Sequence, residues 1–117
     1  MSPGPHDDLI VIDALEHSNW DRELFEELRT GGLTAVHVTL AIWEDCRTTL
    51  DTIGRWHHWF EEHGDIIVHA RTAADIEAAK AAGKTGIVFG FQNASPLEDD
   101  IALVKVFHDL GVRIIQL

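Results

Sequence analysis

Leu9-Ile10-Val11-Ile12-Asp13-Ala14-Leu15-Glu16-His17 is the stretch whose reading decides the fold. Its apolar, β-branched start predicts a buried strand over Leu9–Leu15. The run breaks into polar residues just before Asn19-Trp20. In an α/β enzyme the carboxyl ends of the strands carry the active site, and a metal site would start to assemble at the first of them. The side chains from Asp13 to His17 are therefore the first candidates for chemistry.

Moving outward, Ser18 is placed to cap a helix, with Asp21 three residues on as a carboxylate variant of the capping box. Phe25 and Leu28 give that helix an apolar face, and Gly31-Gly32 ends it. Leu33–Ala41 reads as a second strand, followed by an aromatic-rich helix over Cys46–Glu62 with Leu50, Ile53, Trp56 and Phe60 at helical spacing. Gly64 closes it, and Ile66-Ile67-Val68 is a short extended piece. Thr72 and Asp75 open a helix over Ala73–Ala82, stopped by Gly83. Thr85–Phe91 is the next strand. Ser95-Pro96-Leu97-Glu98 has the form of a strong helix start, continued by Ile101, Val104 and Phe107 on one side and ended by Gly111. Val112–Leu117 begins another strand.

Strand–helix repetition with strands apolar on both sides predicts a parallel sheet covered by helices and joined by right-handed crossovers. Four main strands fit the N-terminal half of a (β/α)8 TIM-type barrel. The expected organisation is an N-terminal arm over residues 1–8 and a barrel portion over 9–117, truncated in its fourth strand. The alternative is a small open α/β domain with its last strand at an edge.

A chain of 117 residues makes at most one domain. Its formal net charge of −11 argues against nucleic acid or an anionic membrane surface as partner. No apolar run approaches the roughly 18 residues of a spanning helix. The start of the chain lacks the basic-then-apolar pattern of a signal peptide. Cys46 is the sole cysteine, which excludes an internal disulfide and fits a reducing cytoplasm. Gly86 and Gly90 have strand spacing rather than that of a phosphate loop, no Gly-x-Ser-x-Gly elbow occurs, and nothing around Cys46 marks a nucleophile.

Val11-Ile12-Asp13, then Thr85-Gly86-Ile87-Val88-Phe89-Gly90-Phe91-Gln92-Asn93, then Leu110-Gly111-Val112-Arg113-Ile114-Ile115-Gln116-Leu117, taken in order, resemble the membrane (renal) dipeptidase family. The Asp-Leu-Gly-Val-Arg segment and the Ala-Ala-Gly-Lys turn add to the likeness, which runs from about Leu9 to Leu117 and matches the N-terminal part of a member. The resemblance implies a (β/α)8 zinc metallopeptidase. Its metal pair would be held by a His-x-Asp at the end of strand one, a bridging Glu after the third, and later residues. Here the His-x-Asp falls on Leu15 and His17, and the Glu falls on Gln92. Leucine cannot ligate. Glutamine offers a weak carbonyl oxygen but no charge to offset two cations roughly 3.5–4 Å apart. The resemblance therefore implies one zinc or none, with His17 as the metal ligand and Gln92 as the catalytic residue orienting water or the substrate amide. Residues 1–117 alone are expected to be inactive.

Each residue also has a plainer reading. His17 and Gln92 fit equally as polar rim groups for a non-metal ligand. Asn93 is a loop residue at the same rim and a substrate-binding candidate; Asn19 is either a helix cap or a contact. Asp13 reads first as a structural acceptor. His37 lies on a central strand, where it either meets substrate or is a satisfied core histidine, and Thr39 shares its face. His57, His58 and His63 read as solvent or dipole-linked groups. Trp20 and Trp43 are placed to wall the site, Trp56 and Trp59 to face a partner subunit. The expected activity is metal-dependent hydrolysis of dipeptides or related small amides by a cytoplasmic protein able to form homo-oligomers. The alternative is a degenerate member that binds a small molecule without hydrolysis.

Overall fold

The structure is a computed structural model that describes residues 8–117, so all of the expected N-terminal arm except Asp8 lies outside the described residues. Strands and helices alternate: β1 Ile12–Glu16, α1 Arg22–Thr30, β2 Ala35–Ala41, α2 Cys46–Glu62, β3 Ile67–His69, α3 Ala73–Ala81, β4 Thr85–Phe91, a 3-10 turn Ser95–Leu97, α4 Leu103–Asp109 and β5 Val112–Ile115. All strand pairs are parallel, in the order β1-β2-β4-β3. β3 and β5 share one edge of β4: β3 pairs with Thr85–Ile87 and β5 with Phe89–Phe91.

Register fixes two faces. Val36 and Val38 lie opposite Ile87 and Phe89, and these join Phe25, Ile53, Trp56 and Phe107 of the helices in one core. Phe89 meets Trp56 at 6.3 Å and Phe91 meets Phe107 edge-on at 5.1 Å. The inner face carries small or polar residues instead: Ala35, His37 and Thr39 opposite Gly86, Val88 and Gly90.

Glycine ends the helices as expected. Gly32, Gly83 and Gly111 adopt positive φ, which a Cβ would penalise. Thr72 caps α3 by accepting from the Asp75 N–H.

Several expectations are corrected. The first strand starts at Ile12 and is not buried: Leu9 is 59% exposed and Ile12 50%, because β1 is an edge strand and none of the described residues pairs with its free side. Asp21, not Ser18, caps α1, its carboxylate accepting from the Leu24 N–H. Leu50 is exposed and Thr49 takes the buried place on α2. Ser95-Pro96-Leu97 makes only a 3-10 turn, because Glu98 and Asp99 turn to φ 48° and 62°. Ser95 donates to the Glu44 carbonyl, and Glu98 accepts from the Cys46 N–H at the start of α2, so both side chains are spent outside a capping box. Ile101 and Val104 are consequently exposed, whereas Phe107 is buried. Trp56 is 1% exposed and packs on Trp20, Phe25 and Trp59, which removes it from any partner surface. Among the described residues no helix is long and apolar enough to cross a membrane.

Candidate functional site

The site begins at a bulge. Between Asp13↔Val36 and Glu16↔Val38, β1 advances three residues against two on β2. Such bulges re-aim side chains and gather beside active sites. Here Asp13 Oδ1 accepts from the Leu15 N–H at 3.1 Å, and His37 donates through Nδ1 to the Ala14 carbonyl that the bulge displaces. Burial, with the Asp13 carboxylate beside it, holds Glu16 above the usual carboxylate range.

Past the bulge, His17 lines a cavity of about 330 Å³ at the carboxyl ends of β1 and β2, with Asn19, Trp20, Thr39, Glu44 and Arg55. That volume suits a small molecule. Asn19 is thus a cavity residue and not the cap of α1. Trp20 walls the cavity, held edge-on to Trp56 at 5.4 Å, while Trp43 is 79% exposed and does not.

Glu44 and Arg55 escaped the sequence reading. Burial alone would push the Glu44 carboxyl up, but N–H bonds from Ile42 and Trp43 and the nearby His17 outweigh it and hold it low. Glu44 thereby fixes the β2–α2 loop. An acid just ahead of a helix start was the signal for it. Arg55, one turn before Trp59 on α2, has no ion-pair partner among the described residues, and nothing in its sequence neighbourhood marks it. Burial raises the Cys46 thiol, which fits its lack of nucleophile features.

Gln92 follows β4, and its Nε2 donates to Thr39 Oγ1 at 2.9 Å, joining the ends of β4 and β2. Its Oε1 carries no bond to another described residue. Asn93 is committed to its own turn, with Oδ1 accepting from the Ser95 N–H. His37 lies deeper on the inner face, 5% exposed. Thr39 is therefore the link: it lines the cavity with His17, bonds Gln92 and shares a face with His37. His57, His58 and His63 lie on or beside α2, away from this mouth; His63 caps that helix against Phe25.

These residues do not fit a two-zinc centre. Leu15 is aliphatic and Gln92 a neutral amide, leaving His17 alone of the three matched positions with a metal-binding side chain. Among the described residues no group of three or more His, Cys, Asp or Glu is placed to hold a metal ion.

The family model for membrane dipeptidase (Peptidase family M19) matches residues 11–117. No curated protein matches the chain. Among solved structures, an amidohydrolase from Pseudomonas aeruginosa is 46% identical with a TM-score of 0.94, over 96% of this chain and 34% of that one. The probable dipeptidase PvdM from Pseudomonas aeruginosa is 15% identical with a TM-score of 0.83, over 94% and 34%. A metallo peptidase from Rhodobacter sphaeroides, liganded with a phosphinate mimic of the dipeptide L-Ala-D-Ala, is 12% identical with a TM-score of 0.66, over 90% and 45%. The chain thus spans between a third and a half of the length of these neighbours. The parallel strands and covering helices correspond to the N-terminal part of a TIM-type barrel.

Proposed function

Because the chain belongs to the membrane dipeptidase family, peptidase family M19, we propose that the full-length protein is a dipeptidase-like hydrolase of dipeptides or related small amides. The observation that carries this is the meeting of His17, Thr39 and Gln92 at the carboxyl ends of β1, β2 and β4, beside a cavity of small-molecule size. In this reading Gln92 orients the substrate amide or a water through its unused Oε1. His17 carries a proton at the cavity rim and is the single matched position able to take part in holding one zinc. The amide nitrogen of Asn93 faces substrate work, its oxygen being committed. The remaining site residues belong to the rest of the barrel, so residues 1–117 alone are inactive. A cytoplasmic setting and assembly into homo-oligomers complete the reading.

Leu15 and Gln92 favour a second reading, in which the protein binds a small molecule without hydrolysing it. Elemental analysis of the full-length protein, with turnover of a dipeptide panel before and after zinc or manganese loading, separates the two. Hydrolysis with at most one zinc per chain is the expected result. No turnover under any loading sinks the first reading and retained turnover sinks the second; two zinc ions per chain would refute the altered-site account.

A further inference from the structure

Two buried side-chain nitrogens among the described residues lack a hydrogen-bond partner, Nε2 of His37 and Nε2 of His69. Both rings close against glycine backbone, His37 on Gly90 and His69 on Gly111, and neither nitrogen is open to solvent. Unspent polarity that a ligand can reach lies instead in the cavity at the carboxyl ends of β1 and β2. Thr52, Arg55, Trp56 and Trp59 of α2 all line it. Their three- and four-residue spacing puts them on one helix face. That face sets a single cation beside two indoles.

A helical arginine is ordinarily steadied by a carboxylate three or four residues away. Arg55 has no such neighbour. Asp51, four residues before it, pairs with Arg47 at 3.6 Å. Thr52, His58 and Trp59 fill the other three positions, and none is an acid. Glu44 lines the same cavity, but its Oε2 accepts the N–H groups of Ile42 and Trp43, which hold it on the β2–α2 loop. No ion pair joins it to Arg55, whose guanidinium makes no hydrogen bond to another described residue.

A guanidinium stays charged, and its planar fork matches a carboxylate. The indoles of Trp20, Trp56 and Trp59 give the cavity an apolar wall, against which a charge pair is stronger than in open water. The Thr52 hydroxyl is spent on the Thr48 carbonyl, and Thr39 Oγ1 accepts from Gln92. Arg55 is therefore the cavity's free anion anchor on α2. The Glu44 carboxylate, held ionised by its N–H bonds, favours a singly charged anion over a dianion such as phosphate.

We propose that Arg55 binds a carboxylate of the ligand, so that the site selects small amides carrying a free carboxylate, on the main chain or on an acidic side chain. This rests on the reading of the cavity as a small-amide site, and it adds a charged anchor that the neutral Gln92 does not supply.

The test uses the full-length protein and three probes: L-alanyl-L-alanine, its C-terminal amide, and L-glutamyl-L-alanine amide, whose carboxylate is on the side chain. Binding is read from the tryptophan fluorescence change on mixing, since Trp20 and Trp59 line the cavity. Arg55 is exposed on α2, so Arg55→Gln should keep the parent's melting transition. It should bind a carboxylate probe about tenfold or more weakly, the effect of a lost charge-assisted pair. L-alanyl-L-alanine amide, which has no carboxylate, should bind within about twofold of the parent. Loss with L-alanyl-L-alanine assigns the main-chain carboxylate, and loss with the glutamyl probe assigns the acidic side chain. Unchanged affinity for all three probes overturns the proposal while the cavity reading survives. Equal weakening of all three marks a structural role for Arg55 and also overturns it. If no probe changes the parent's fluorescence, both fail.

Discussion

At residue 90 a single methyl group would collide with the imidazole of His37. Gly90→Ala must therefore push the ring off the inner face and break its bond to Ala14. A loss of about 1–3 kcal/mol is expected, the range of overpacked cores, read from urea unfolding. Gln92 differs from a bridging carboxylate only in charge. Gln92→Glu should raise zinc retention after dialysis of the full-length protein; unchanged zinc content would show that Leu15 alone prevents the centre. His69 contributes to acid behaviour. Burial first, then the charges of Arg71, His57 and Arg113, lower its pKa from 6.5 to about 4, with Asp75 opposing. The unfolded chain then takes up the proton first, so stability is intact above pH 6.5 and falls as the pH drops toward 4. The loss is about 2 kcal/mol after allowance for partial solvent screening. Asp65, held at about 2 by its paired bonds to Arg22, stays charged across that window. Urea midpoints at pH 7 and pH 4.5 should differ less in His69→Leu than in the parent. That His17 and Gln92 directly follow strands was legible, because the apolar runs before them end there. The tautomer of His37 was not, since its partner lies 23 positions away on another strand.

Whole elements were legible where local chemistry and packing agreed. α2 runs from Cys46 to Glu62 as its spacing predicts, and α3 starts at its Thr72 cap. Thr72→Ala should cost about 1 kcal/mol of stability, measured by thermal unfolding. The Ser-Pro-Leu-Glu start failed because a distant helix claimed its parts: Glu98 reaches Cys46 and Ser95 reaches the Glu44 carbonyl. The turn that results puts Asp99 at φ 62°, a conformation glycine adopts without cost. Asp99→Gly should leave this turn intact and raise stability by up to about 1 kcal/mol. A lower melting point would show that the Asp99 side chain supports the turn.

Across the whole molecule, exposed apolar side chains gather at both margins of the sheet: Leu9, Ile10, Ile12 and Leu15 along β1, Ile114 and Leu117 at β5. Among the described residues neither margin has a further strand, and open parallel edges of this kind template association. The 117-residue chain should self-associate in sedimentation, and Ile12→Lys should reduce it; a monomer at all concentrations would show that these edges are inert. The sequence by itself determined the order of strands and helices, the parallel sheet and the family, because β-branched runs, helical spacing and glycine stops are local properties. Tertiary structure alone decided that β1 lies exposed, that Trp56 is core, that Glu98 serves α2, and that His37 turns a bare nitrogen onto the inner face. Each of these depends on a partner remote in the chain, and burial, register and hydrogen-bond choice exist only once that partner is in place.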